Sequence, residues 1–323
     1  MTTRTEEVTV AKYLAKRLGA ALLVLFALSL LSFGMVRLMP GDPALQYLNI
    51  DNPDPTQLDQ IRAELGLDAP WYSQYLSWLG GVLHGDFGQS LTKSADIGTM
   101  LADRFPVSLQ LAVVAVLVGL LIGLPSGVVS AVRQGTPLDA VIRGGSFVAL
   151  SVPAFAIAAV VIMINAFTLK LPLIGYTPWS VSPISSILSL LAPALILSLA
   201  MSAVVSRYSR GTVLDTLSQD YIRTARSKGV PTGRIVRGHA LRNALIPVTT
   251  VVGIQLAALI GGTVVIENVF AIPGMGSMLI EAINSSDYPT IQACVLVLGA
   301  CFVLINLVVD LLYPVIDPRV RAS

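Results

Sequence analysis

The sequence predicts an all-α integral membrane protein with six transmembrane helices, and three observations carry that prediction. Hydrophobic residues fill 54% of the 323 positions and charged residues only 12%, whereas ordinary soluble domains carry about 25% charge. Six nearly uncharged runs each reach the roughly 20 residues a helix needs to cross about 30 Å of hydrocarbon. Between them, 16 of the 21 Lys and Arg residues fall in alternate connecting segments, the bias that keeps such segments on the cytoplasmic side.

Taken in order, residues 1–17 carry Lys12, Lys16 and Arg17 and form a cytoplasmic N-terminus. The first helix, 18–37, is a retained span, because it is too long for a signal core and no small-residue cleavage site follows it. Residues 38–104 are extracytoplasmic and have structure of their own. Asp54 as N-cap, Pro55 at N1 and Gln57 open a short helix with Leu58, Ile61 and Leu65 on one face, stopped by Gly66. Trp71, Tyr75, Trp78, Leu79 and Val82 line one side of a second short helix, suited either to the membrane interface or to packing of a small outer subdomain.

The remaining spans are 105–132, 144–169, 184–206, 244–266 and 288–309, and residues 313–323 form a cytoplasmic C-terminus. Pro125, Pro153, Pro193, Gly253, Gly261 and Gly262 interrupt them. Such breaks suit a water-filled path or close helix packing. Cys294 and Cys301 lie seven residues apart in one apolar run and are expected to be buried apolar groups. Outer segments hold 12 of the 19 acidic residues, consistent with the basic bias.

The segment 207–243 is a polar, basic island between two spans. From Tyr208 onward it carries Arg210, Arg223, Arg226, Lys228, Arg234, Arg237 and Arg242 against only Asp215 and Asp220. Each such cation at the centre of a spanning helix costs about 2.5–3.5 kcal/mol, so the island lies in water. Leu214, Leu217, Tyr221 and Ala225 recur at helical spacing, Gly229 before Pro231 is a helix stop, and a second short helix is expected over 232–242. This unit reads as a docking element for a cytoplasmic partner. The competing class is a membrane anchor whose basic loop binds anionic lipid, at about 1 kcal/mol per Lys or Arg. Nucleic-acid binding is disfavoured, since Tyr208 and Tyr221 are the only aromatics available for stacking there.

Catalytic signatures are missing: there is no HExxH, GxSxG, CxxC or phosphate-binding GxxxxGK[ST] run. His84 and His239 fall in opposite aqueous segments. The six span cores hold essentially no ionisable group, with Asp310 at an end, which argues against a proton-driven carrier. Energy for transport would then arrive through the basic island, and the chain itself would be no enzyme.

The run Asp220-Tyr221-Ile222-Arg223-Thr224-Ala225-Arg226-Ser227-Lys228-Gly229, followed by His239-Ala240-Leu241-Arg242-Asn243-Ala244-Leu245-Ile246-Pro247, resembles the cytoplasmic "EAA" loop of binding-protein-dependent ABC importer permeases. Agreement extends to Arg37-Leu38-Met39-Pro40-Gly41-Asp42-Pro43, Leu65-Gly66-Leu67-Asp68, Gly85-Asp86-Phe87-Gly88-Gln89-Ser90 and Asn268-Val269-Phe270-Ala271-Ile272-Pro273-Gly274-Met275-Gly276. The chain is similar to B-type subunits of the dipeptide/oligopeptide/nickel family. Arg223, Thr224 and Ala225 stand where the wider consensus has Glu-Ala-Ala, and Pro247 comes later than the family's loop proline.

The resemblance implies a type I ABC importer permease fold, with the transmembrane domain over 97–312 and a coupling loop over 207–243, in a bacterial inner membrane. It implies that Tyr221, Arg223, Thr224, Ala225, Arg226, Ser227, Lys228 and Gly229 contact an ATPase. Implied partners are a C-type permease subunit, two cytoplasmic ATPase domains that bind ATP and Mg, an extracytoplasmic binding protein and membrane lipid; no cofactor is expected on this chain. The cargo is a dipeptide, an oligopeptide, glutathione or a nickel chelate. A binding-protein-facing or cargo-facing loop is expected at Asn268, Val269, Phe270, Ile272, Pro273, Gly274, Met275 and Gly276. It is either a re-entrant or lid element offering apolar side chains to a partner, or a turn packed on the first outer segment.

Overall fold

Apolar runs of this length fold as helices because backbone N–H and C=O groups in hydrocarbon have no other partner. The computed structural model describes residues 2–38, 69–236, 238 and 241–316. In order these hold α1 (Thr2–Leu38), α2 (Trp71–Leu83), α3 (Ile97–Val132), α4 (Pro137–Ser151), α5 (Ala154–Phe167), α6 (Pro183–Leu217), α7 (Asp220–Ser227), α8 (Thr232–Ile235), α9 (Leu241–Val269), α10 (Met275–Asn284) and α11 (Tyr288–Ile316). The short helix expected before Gly66, and the motif residues 39–43 and 65–68, lie outside the described residues.

Among the described residues, four helices are long and apolar enough to cross a membrane: the Ala15–Met35 part of α1, then α3, α6 and α11. The 29-residue α9 also has the length to cross. The span expected at 144–169 is instead two helices. α4 and α5 meet at a 101° bend, with Val152 extended (φ −100°, ψ 125°) and Pro153 as the N-cap of α5. A residue before proline is pushed out of the helical region, and here nothing restores it. Pro125 and Pro193, by contrast, sit inside continuous α3 and α6. These two helices also overrun the expected spans: α6 has 35 residues, about 52 Å at 1.5 Å each. The apolar run ends near Ser206, but the helix does not.

α3 and α6 form the central pair. Gly119, Gly123 and Gly127 recur every fourth residue on α3 and meet Met201, Ser202, Ser206 and Ser209 on α6. A Cβ on Gly123 would lie 2.7 Å from the Ser202 carbonyl oxygen, and one on Gly127 only 2.4 Å from that of Ser206. The backbones can approach this closely only because those positions lack a side chain. The buried core continues from this seam through Leu111, Ala115, Leu190, Leu197, Met201 and Val205 to Ile266 and Phe270 of α9 and the loop after it.

On the flank, α1 packs along α11, where the Ser32 hydroxyl donates to the Gln292 carbonyl at 2.9 Å. α2 leans on α1 through an edge-to-face contact of Phe33 with Tyr75, centroids 5.4 Å apart, and a 2.7 Å hydrogen bond between Ser29 and Tyr75 hydroxyls. The α2 aromatics therefore divide: Tyr75 is buried, while Trp71 and Tyr72 are exposed. Cys294 and Cys301 both lie on α11 with free thiols.

Candidate functional site

Two segments singled out by sequence each follow the C-terminal end of a long helix, one after α6 and one after α9. At the first, Leu214 and Leu217 do not share a helix with Tyr221 and Ala225, as their spacing had suggested. α6 closes at Leu217, where the Ser218 N–H bonds the Leu214 carbonyl, and Gln219 turns extended (φ −68°, ψ 149°) before α7 starts. Ser218 and Gln219 compete for nearby backbone through their side chains: the Ser218 hydroxyl and the Gln219 amide both donate to the Asp215 carbonyl, a local alternative to continuing the helix.

α7 is eight residues long and amphipathic. Ile222 is fully buried, as is Ile235 of the adjoining α8. Ala225 is half-buried, while Tyr221, Arg223, Thr224, Arg226, Ser227 and Lys228 are exposed. Arg223 pairs with Asp220 at 3.4 Å in full view of solvent, an interaction worth at most about 1 kcal/mol. What fixes α7 is its ending. The Gly229 N–H bonds the Arg226 carbonyl at 2.9 Å and the Val230 N–H bonds the Ala225 carbonyl at 3.1 Å, the paired bonds of a Schellman cap. Gly229 has φ +77°, and a Cβ there would touch nothing within 4 Å. The demand for glycine is thus purely one of backbone conformation. Beyond it, α8 covers Thr232–Ile235; residues 237, 239 and 240 of the expected 232–242 lie outside the described residues.

At the second segment the apolar side chains turn inward, which favours the packed turn over the lid of the two alternatives. Phe270, Ile272 and Met275 are buried within this chain, as are Gly274 and Gly276. Val269 and Pro273 are half-buried, leaving Asn268 and Ala271 exposed. Phe270 joins the main core beside Leu111, and Met275 packs with Ile97 and Leu101 at the start of α3. The loop also receives the connection between α5 and α6, through the Gly175 N–H on the Phe270 carbonyl at 2.8 Å.

The cause of this inward packing is Glu267, one residue before the motif and fully buried. Its carboxylate accepts from the Ser108 hydroxyl at 2.6 Å and from the Gly276 and Ser277 N–H groups at 2.7 and 3.2 Å. Ser108 in turn accepts from the Met275 N–H at 2.8 Å. The first turn of α10 thereby closes on an anion, where free N–H groups and the helix dipole favour one. A Cβ on Gly274 would fall 2.4 Å from a Glu267 oxygen, and one on Gly276 2.3 Å from the Val264 backbone.

Two further buried carboxylates escaped the sequence reading. Asp287 accepts from Ser90, Leu91, Thr92 and Thr290, tying the Gly85–Ser90 motif to the turn before α11. Asp139 near the start of α4 accepts from Ser130 of α3, the Gly135 N–H, and Arg210 of α6 through two nitrogens at 3.0 and 3.1 Å. Arg210 had counted simply as one cation of the basic island. It is instead the fastener of three helices.

Family models agree with this arrangement. The model described as "Binding-protein-dependent transport system inner membrane component" matches residues 119–322, and a model for the N-terminal part of such membrane components matches 10–112. A dipeptide transport system permease protein of Escherichia coli (strain K12), DppB, is 34% identical over 96% of this chain and 98% of its own length. A protein of Brucella abortus (strain 2308), named provisionally as a peptide transport system permease, is 40% identical over 95% and 98%. Among solved structures, a chain from inward-facing MetNI methionine ABC transporter superposes with a TM-score of 0.53 at 21% identity, covering 68% of this chain and 96% of that one; at that identity the likeness speaks for the fold. With its helical spans and near-full-length relatives, the chain belongs to the binding-protein-dependent transport system inner membrane components, as a multi-pass permease.

Proposed function

We propose that this permease carries peptides, dipeptides among them, inward along a path it forms with a related C-type subunit. In this reading two cytoplasmic ATPase domains bind ATP and Mg and drive the cycle, and an extracytoplasmic binding protein delivers the cargo. Cargo class rests on the near-full-length similarity to the E. coli dipeptide permease and the Brucella protein. The orientation, with both termini and α7 in the cytoplasm, rests on the bias of basic residues.

The observation that carries the coupling role is α7 itself. It is a short, rigidly capped helix whose buried side is one isoleucine and whose basic face, Arg223, Arg226 and Lys228, is open to solvent. Such a face suits an acidic groove on an ATPase, where charge complementarity sets register and speeds docking. Tyr221 adds an aromatic anchor of the kind enriched at interfaces. The loop at Asn268–Gly276 acts as a fixed outer surface, meeting the binding protein through Asn268 and Ala271 while its apolar residues stay in the permease. Its anchoring by Glu267 supports a docking edge over a mobile lid. The test is uptake of a labelled dipeptide, with co-purification of the ATPase, by native and Gly229→Val chains at matched membrane levels. A Gly229→Val chain with native uptake and native ATPase recovery overturns the coupling role; a native chain that restores no dipeptide uptake overturns the cargo.

A further inference from the structure

Between α4 and α6, at the end of the bundle that leads to α7, lies an open pocket of about 390 Å3 lined by Ser130, Ile142, Arg143, Phe147, Arg207 and Arg210, among others. We infer that this pocket seats the headgroup of an anionic phospholipid from the cytoplasmic leaflet, its phosphate held by Arg143 and Arg207 and its acyl chain running along Phe147 and Leu150. The inference rests on the orientation proposed above, and its test does not depend on transport.

Charge is the first reason. Three guanidinium groups face the pocket against one carboxylate, Asp139, which accepts from Arg210 at 3.0 Å and lies 3.4 Å from Arg143. Arg210 is committed to that buried pair. Arg143 is more than half exposed at its side chain, and no ion pair engages Arg207 among the described residues. Two of the three cations can therefore turn to a phosphate, for which the planar guanidinium fork is suited. The small hydroxyls of Ser130, Ser146 and Ser206 line the same space.

The gradient of polarity is the second. Asp139 near the start of α4 pairs with Arg210 near the end of α6, so the two helices run antiparallel and the pocket can be followed inward along both. Arg143 comes first on α4, then Phe147 one turn on and Leu150 beyond it. Phe147 and Leu150 are exposed. Cations at the water end and bare apolar surface at the membrane end describe an amphiphile standing in one leaflet, in a volume within the range of small-molecule pockets, about 300–1,000 Å3. A free inorganic anion would use the cations and leave the apolar wall unexplained.

The test uses the purified permease complex with its own partner subunits in nanodiscs of phosphatidylcholine, alone or mixed in equal parts with phosphatidylglycerol, with retained lipid counted by native mass spectrometry. For the native chain, phosphatidylglycerol should be retained in preference to phosphatidylcholine. Arg143→Gln with Arg207→Gln should weaken that retention about thirtyfold, from the usual contribution of two surface cations to anionic-lipid binding, while Arg143→Lys with Arg207→Lys keeps most of it. Equal retention by the Gln and native chains overturns the inference, as does displacement of the lipid by inorganic phosphate. A photo-crosslinking residue at position 147 in the otherwise native chain checks occupancy directly: lipid adducts support the site, and adducts to a partner subunit alone refute it.

Discussion

Glu267 offers the sharpest test of how the loop after α9 is held. Its carboxylate is fully buried and accepts from the Ser108 hydroxyl and from the N–H groups of Gly276 and Ser277. Replacement by Leu keeps an apolar side chain of fair volume, strands these three donors in a space closed to water, and removes the Thr263 contact. At about 1–3 kcal/mol for each buried group left unsatisfied, the loss is about 3 kcal/mol or more. Replacement by Gln keeps one oxygen. If that oxygen serves the two backbone N–H groups, the amide nitrogen faces Ser108, which can accept from it but loses the acceptor for its own proton; the cost falls to about 1–2 kcal/mol. The assay is thermal unfolding of the purified complex, followed by the reaction of a thiol probe with Cys294, which is buried in the cluster that holds Met275, in a chain lacking Cys301. With about 2 °C lost per kcal/mol, the low end for a domain of about 150–250 residues, Glu267→Leu should lower the apparent midpoint by about 6 °C or more and Glu267→Gln by about 2–4 °C. A Leu chain that unfolds with the native one, or a Gln chain less stable than Leu, refutes the account.

Gly229→Val places a β-branched residue at φ +77°, costing about 1–2 kcal/mol locally; the protein should insert normally but lose uptake and ATPase recovery, whereas Arg234→Gln at an exposed site keeps substantial uptake. Gly127→Val should separate α3 from α6, because even the first side-chain carbon meets the Ser206 carbonyl; overpacking of this kind costs about 1–3 kcal/mol, read as a lower unfolding midpoint. Asp139→Asn breaks a buried pair and should cost about 3 kcal/mol, and adding Arg210→Met should recover part of it, as seen in a double-mutant cycle of unfolding midpoints. Cysteines at Ser73 and Ser227, in a chain lacking Cys294 and Cys301, should react with an impermeant thiol reagent from opposite sides of the membrane; labelling of both from outside refutes the orientation.

Periodicity and punctuation made much of the fold legible. The stop at Gly229 could be read because a glycine before Val230 and Pro231 is a backbone instruction, independent of what surrounds it. Helix ends were less legible where chemistry and conformation part company: hydropathy falls at Arg207, yet α6 continues to Leu217 because Val213 is buried against Ala131 of α3 with Leu214 and Leu217 packed beside it, tertiary packing that outweighs the weak helix propensity of Gly211, Thr212 and Asp215. Proline was ambiguous for the same reason. Pro125 and Pro193 stay helical in the tightly packed α3 and α6 pair, while Pro153 bends the chain between two helices with much exposed surface. Whether the loop after α9 packs inward or opens outward was not legible while the fifth span ended at residue 266, because that boundary leaves out the carboxylate that pulls the loop inward. Its signal lay in the sequence all the same: an acid at the rim of an apolar run, followed by glycines seven and nine positions later. Partners such as Asp139 and Arg210, 71 residues apart, leave no local trace.

The seam of glycines between α3 and α6 bears on how this protein can move. Two rods joined along their length resist bending far more than either alone, and the interlock of Gly119 with Met201, and of Gly123 and Gly127 with Ser202, Ser206 and Ser209, makes these helices one plank. Flexure is then left to the places where the helical backbone is already broken, the corner at Pro153 and the two-residue link of Ser218 and Gln219. A force that reaches the Leu217 end of α6 is carried along that plank as the swing of a lever rather than a wave of small rearrangements.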